Sequence, residues 1–189
     1  TGAVTYGVGQ QGITGRFDAD IWHLDTFGSG LLGCMQPSDN VMYVWKPEWG
    51  GDTPAEAITI ANGYTEDAPT PNRGVFVTPE RFTVALGADG DTRQVAWSDR
   101  ETIDVWTPTL DNEAGFFVLE GSGRIMRGMR GRGESVIWTD TDCWVMTYIA
   151  GAYVYGFEKR GTNCGLISPL GVAGIDSGFI WWSQRGFYV

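Results

Sequence analysis

The sequence predicts an all-β protein: the antiparallel blades of an incomplete β-propeller, three to four in number. Three observations carry this. The chain holds 28 Gly in 189 residues and its apolar runs are short, the composition of many short strands joined by tight turns. Between the Trp positions no stretch keeps the apolar spacing of three and four that a helix needs. A five-residue pattern also recurs: Val95-Ala96-Trp97-Ser98-Asp99, Val136-Ile137-Trp138-Thr139-Asp140 and Ile180-Trp181-Trp182-Ser183-Gln184, its third residues 41 and 44 positions apart. That period belongs to propeller blades, each a four-stranded antiparallel sheet.

The blades follow in order within a single domain, 1–189. A weak first blade spans 17–60 and contains "YVWKPEW"; its Trp45 lies 52 residues before Trp97, with a Pro-rich insertion between. The second blade is about 74–106. It contains "VFVT" (75–78), "FTVALG" (82–87), "RQVAWS" (93–98) and "IDVW" (103–106), separated by Pro79-Glu80, "ADGD" and "DRE". The third, about 115–149, reads "GFFVL", "RIMRGM", "ESVIWT" and "CWVMTYI". A partial blade fills 153–189 and stops on "GFYV". Trp45, Trp97, Trp138 and Trp182 form the structural repeat, recurring at one strand position and packing between neighbouring sheets. Asp99 and Asp140 fall at turns, where a carboxylate accepts backbone N–H groups; the Asp-x-Asp-x-Asp-Gly calcium loop is absent.

Composition bounds the chemistry. With 13 Lys+Arg against 23 Asp+Glu, the formal net charge is −10, which repels phosphates and opposes extended nucleic-acid contact. No run approaches the roughly 20 apolar residues of a membrane helix, and no signal-peptide pattern opens the chain. Cys34, Cys143 and Cys164 form no CxxC pair; they read as buried free thiols, and neither a metal nor a cofactor is expected. The one imidazole, His23, lies near Ser29 and Ser38, but no Gly-x-Ser-x-Gly elbow occurs. His23 is expected to be a packed or edge residue of a strand. Asp99, Glu101, Asp104, Asp140, Asp142 and Glu158 could in principle pair as glycosidase carboxylates. The sialidase box Ser-x-Asp-x-Gly-x-Thr-Trp is not matched by "SDRETIDVW", and nothing selects one carboxylate pair over another.

The most unusual stretch is "GSGRIMRGMRGRGES" (121–135), with Arg124, Arg127, Arg130 and Arg132. It has no Gly-Lys-Ser/Thr and no following helix, so it is not a phosphate loop. On a strand, Arg124, Arg130 and Arg132 share one face and Arg127 takes the other. Salt bridging to acidic neighbouring blades or chains is the preferred reading; a local DNA-facing patch is the alternative.

Beyond these local patterns, four segments taken together carry a resemblance. They are "RFTVALGADGDTRQVAWSDRETIDVWTPTLDNEAG", "RGESVIWTDTDCWVMTYI", "YVYGFEKRGTNCGLISP" and "GFIWWSQRGFYV", with the upstream "DIWHLDTFGSGLLGCM" and "VMYVWKPE" similar to a preceding blade of the same kind. The chain resembles a group of short-tailed phage virion proteins, of the packaged-DNA stabilisation or tail hub and nozzle kind, built as β-propellers below the portal. The likeness spans roughly residues 17–189, and "VAWSD", "WTPT", "VIWTDT" and "GTNCGLI" are its most specific parts. It implies a non-enzymatic virion component, made in the host cytoplasm. Its partners would be other tail proteins, the portal and further copies in a homo-oligomeric ring, with non-specific contact to packaged DNA and no membrane. Arg124, Arg127, Arg130 and Arg132 are then candidates for the DNA channel or subunit contacts. Group members run longer, so the expectation is a fragment, or a propeller closed by another chain. The rival expectations are a carbohydrate-binding or carbohydrate-active propeller and a WD-repeat interaction propeller; the Gly-His and Trp-Asp signatures of the latter are missing.

Overall fold

Short apolar runs broken by Gly, Pro and Asp fold here as four small antiparallel sheets, arranged as the four blades of a β-propeller. The structure, a computed structural model, describes residues 20–36, 39–151 and 153–189. Residues 17–19 of the expected first blade, and Ser38, lie outside the described residues. Blade 1 consists of β1 (Ile21–Phe27), β2 (Gly30–Gln36), β3 (Met42–Trp45) and β4 (Glu56–Ala57). Blade 2 consists of β5 (Gly74–Val77), β6 (Thr83–Leu86), β7 (Gln94–Trp97) and β8 (Gly115–Val118). Blade 3 holds β9 (Ile125–Arg130), β10 (Ser135–Thr139), β11 (Asp142–Tyr148) and β12 (Tyr155–Thr162). Blade 4 is β13 (Val172–Ile175), β14 (Gly178–Ser183) and β15 (Gly186–Tyr188). Each strand pairs with the next in sequence, and the first strands β1, β5 and β9 pack side by side.

Period-two alternation decides which blade each residue meets. In blade 2, Val75, Val77, Ala85 and Ala96 join Leu32, Cys34, Met42 and Val44 of blade 1 in one core. Their neighbours Phe76, Val84, Leu86, Val95 and Trp97 point the other way, onto Ile125, Ile137, Trp144 and Met146 of blade 3. A strand covered on both faces must be apolar at every position, and "GVFV" and "TVAL" are buried throughout. Blade 3 alternates likewise. Val136, Trp138 and Val145 face blade 4, where Trp138 meets Phe179 edge-on at 5.2 Å and Trp181 at 5.8 Å between ring centroids.

The first strands approach so closely that glycine is required beneath aromatic rings. A Cβ on Gly74 of β5 would sit 2.8 Å from the His23 ring of β1. A Cβ on Gly128 of β9 would sit 2.5 Å from Phe76 of β5.

The expected blade boundaries need correction. "IDVW" (103–106) is not a strand, and "GFFVL" (115–119) does not open the third blade. Its strand β8 is instead the last of blade 2, pairing with β7. The physical reason lies at Glu66. Its carboxylate accepts the backbone N–H groups of Trp106 and Thr107, both at 2.7 Å, so these donors cannot enter a sheet ladder. Gly115 then lets β8 slide under the Trp97 indole, where a Cβ would clash. By the same shift "YVYGFEK" supplies β12 of blade 3 rather than blade 4. Blades begin at residues 21, 74, 125 and 172, so the structural repeat is 53, 51 and 47 residues long.

The Trp repeat is corrected too. Trp45 and Trp97 lie on third strands of their blades, Trp138 and Trp182 on second strands. Trp97 and Trp138 are buried between sheets as expected, Trp45 is half-buried, and Trp182 is 51% exposed on the outward face of blade 4.

Trp138 is fully buried and its indole N–H has no partner. Trp138→Ala is therefore expected to lower the free energy of unfolding by about 3–5 kcal/mol in chemical denaturation. Trp138→Phe, which removes the unsatisfied donor as well as volume, is expected to cost less. Gly128→Ala forces a methyl against Phe76 and Leu86 and is expected to cost roughly 1–3 kcal/mol in the same assay.

Candidate functional site

The Arg-rich stretch becomes β9, the first strand of blade 3, with its flanking turns. Arg127 and Arg130 point to opposite faces, as alternation requires. Arg127 donates through Nη1 to the Pro169 carbonyl at 3.2 Å, toward blade 4. Arg130 pairs with Asp25 of β1 at 3.3 Å. Arg124 lies just before the strand and pairs with Asp140 at 3.7 Å, while its backbone N–H donates to the same carboxylate at 3.0 Å. Arg132 lies beyond the strand, in the turn to β10, and is exposed. A bulge in the β9–β10 register, between Trp138 and Thr139, breaks the single-face alignment that strict alternation gives to Arg124 and Arg130.

Two clefts flank β9. One of about 250 Å3 is lined by His23, Asp25, Phe76, Arg127 and Arg130, among others. The other, of about 570 Å3, lies between blades 3 and 4 and is lined by Arg130, Arg132, Glu134, Asp176 and Phe179, among others. Both clefts place carboxylates beside the cations in their lining: Asp25 in the first, and Glu134 and Asp176 in the second.

Asp25 is the centre of this arrangement. Its Oδ2 accepts the backbone N–H of Val77 in blade 2 at 2.9 Å, and its Oδ1 holds Arg130 of blade 3. One carboxylate thus ties three blades. Beside it, His23 is 2% exposed. Burial, with Arg127 and Arg73 nearby, holds its pKa down from 6.5 to about 4. The neutral ring accepts the Gln36 amide at Nε2, 2.6 Å away. His23 is the packed strand residue expected. Ser29 falls in the β1–β2 turn.

The expected carboxylate roles can be followed one by one. Asp99 accepts the Glu113 N–H at 2.8 Å across a turn. Asp142 accepts the Asn163 N–H at 3.3 Å and pairs with Lys159 at 3.0 Å. Asp104 accepts the Thr65 N–H at 2.8 Å, Glu101 pairs with Arg81 and Glu158 with Arg160. These carboxylates cap backbone or pair with cations. Among the described residues, no group of three His, Cys, Asp or Glu side chains gathers as a metal site. The three thiols are buried and free, and burial pushes Cys34 and Cys143 up to about 12, which keeps them protonated and unreactive.

One feature was not anticipated from sequence. Between β8 and β12, at the outer edges of blades 2 and 3, lies a groove of about 580 Å3 walled by Trp97, Phe116, Phe117, Tyr153 and Phe157, among others. Phe117 and Phe157 stack at 4.4 Å. The signal was present in the aromatic alternation of "GFFV" and "YVYGF", but reading both runs as the opening strands of their blades, rather than as outer edges, hid their meeting. Compared with known proteins, the sequence matches no protein-family model and no curated protein.

His23 makes stability depend on pH. Its folded pKa lies below its ordinary value, so the unfolded chain binds the proton more readily. The stability present above about pH 6.5 is lost as pH falls toward 4. Between neutral pH and pH 4 this term is expected to remove roughly 3 kcal/mol. Urea denaturation should show a shallower decline for His23→Gln than for the unaltered chain.

Proposed function

We propose that the chain is a structural component of a short phage tail, a hub or nozzle part below the portal, that extends the DNA channel and helps to retain the packaged genome. The observation that carries this reading is where the phage-like motifs fall. They are joints of the scaffold. In "VIWTDT" the Thr139-Asp140-Thr141 turn receives the backbone N–H groups of "GTNCGLI": Cys164 and Gly165 donate to the Thr141 carbonyl at 2.9 and 3.0 Å, and Leu166 donates to the Thr139 carbonyl at 2.9 Å. A Cβ on Gly165 would clash with that turn. "WTPT" is held by Glu66, as described above, and "VAWSD" is fixed by the Trp97 indole N–H, which donates to the Glu113 carbonyl at 2.8 Å.

Residues that resemble the phage group are therefore those that fix the turns and connections of the blades, which supports a likeness of scaffold. Sheets locked on both faces give the stiffness that a pressurised channel wall needs. Because Arg124 and Arg130 already pair with carboxylates and Arg127 bonds a backbone carbonyl, contact with DNA is assigned a minor part and genome retention a mechanical one.

A second reading, a carbohydrate-binding propeller, draws on the exposed indoles of Trp22 and Trp182. Both lie on flat sheet faces at opposite ends of the blade series, which does not favour it.

The test is immunogold electron microscopy of phage particles whose genome encodes the chain. Label confined to the tail is the expected result. Virions free of label, with the antibody reacting only in the infected-cell lysate, would overturn the proposal; glycan-array binding would favour the second reading.

A further inference from the structure

We propose that a second copy of this chain docks head to tail, the outward face of blade 4 of each copy covering the outward face of blade 1 of the other, to close an eight-bladed ring. The proposal does not rest on the tail reading. It starts from the blade contacts already described. Trp138 lies on the second strand of blade 3, on the face turned toward the next blade, and is covered there by Phe179 and Trp181 of blade 4. Trp182 holds the corresponding place on the second strand of blade 4, stacked on Phe187 at 5.5 Å. Among the described residues no next blade covers it: Trp182 and Phe187 are 51% and 72% exposed, and Ile175 and Ile180 beside them are exposed as well.

Blade 1 has the converse deficit. Along β1, His23 points toward blade 2, whereas Trp22 and Leu24 point away from it and are 48% and 54% exposed. Their cross-strand partners Met35 and Gly33 extend this uncharged face, and Leu31 on the same side of β2 is exposed. Among the described residues, the two faces are thus a following-blade surface and a preceding-blade surface that no blade covers. Each is apolar in the way that the three internal blade contacts are apolar.

Size, charge and count select the occupant. A large aromatic side chain buries up to roughly 150–250 Å2. The two faces together therefore offer on the order of 800 Å2 per chain, the area each partner loses in a standard-sized complex. Between residues 20 and 57 the chain carries six acidic residues and one Lys; between 171 and 189 it carries one Asp and one Arg. Blade 1 against blade 1 would oppose two acidic rims, whereas blade 4 against blade 1 does not. Propellers close with four to eight blades. Two copies of the four described blades reach eight, and a third copy exceeds the range.

Sedimentation velocity of the full chain at micromolar concentration tests this. The expected species has twice the 20.7 kDa mass of one chain. Trp22→Glu and Trp182→Glu, each at a half-exposed position, are expected to keep the far-UV circular dichroism of the unaltered chain. Each is expected to weaken self-association by roughly 100-fold. Mixed in equal amounts, they are expected to recover the double-mass species, because blade 4 of the first and blade 1 of the second are intact.

A single-chain mass for the unaltered protein would overturn the proposal, pointing to coverage by another part of the chain or another protein. So would an assembly larger than two, undiminished association of either variant alone, or no recovery in the mixture. None of these outcomes bears on whether the protein is found in tails.

Discussion

The structure depends on its two middle sheets being packed on both faces by sheets, at a separation set by rings lying over glycines. His23 over Gly74 and Phe76 over Gly128 bring the first strands of successive blades together. From that close approach the rest follows: the strands behind must fan outward, and bulkier side chains fill the widening gap. Trp97, Trp144 and Tyr155 supply that bulk between blades 2 and 3, with Phe157 packed against them. Small residues at the inner strands and large rings further out are what turn a stack of sheets into a fan.

Fold class was legible because alternation with no helical spacing leaves few alternatives, and because the turn chemistry was explicit. Blade limits were not. The Trp-hydroxyl-Asp pattern looked like a blade marker, yet it marks any strand that ends in a turn on the face toward the next blade. It occurs on the third strand of blade 2 and the second strands of blades 3 and 4. What aligned was a local solution: a buried hydroxyl bonding its own turn. Ser98 Oγ accepts the Thr83 N–H and donates to carbonyls in its turn, and Thr139 Oγ1 accepts the Asp142 N–H. Such a solution repeats wherever a strand needs that ending, so its spacing of 41 and 44 residues differs from the structural repeat of 53, 51 and 47. The capture of the Trp106 and Thr107 donors by Glu66, about 40 residues away in sequence, is a long-range contact that no local pattern announces.

The Arg-rich stretch illustrates the opposite case. Its cation density invited a ligand, whereas alternation and the acidic composition argued for internal pairing. In the structure Arg124 and Arg130 meet carboxylates and Arg127 a carbonyl, while Arg132 is exposed. The aromatic groove between β8 and β12 could be read only after both runs were placed on outer edges, because neither run alone shows that the other is near.

Asp25 has a consequence for how the body comes apart. A series of sheets that touch only adjacent sheets behaves like a one-dimensional array, in which one end can fray while the other holds. The Asp25 carboxylate reaches past the adjacent sheet: one oxygen takes the Val77 amide and the other takes Arg130, two blades away. That clasp couples non-neighbouring units, so loosening of the first blade is felt directly by the third, and melting is drawn toward a single concerted event.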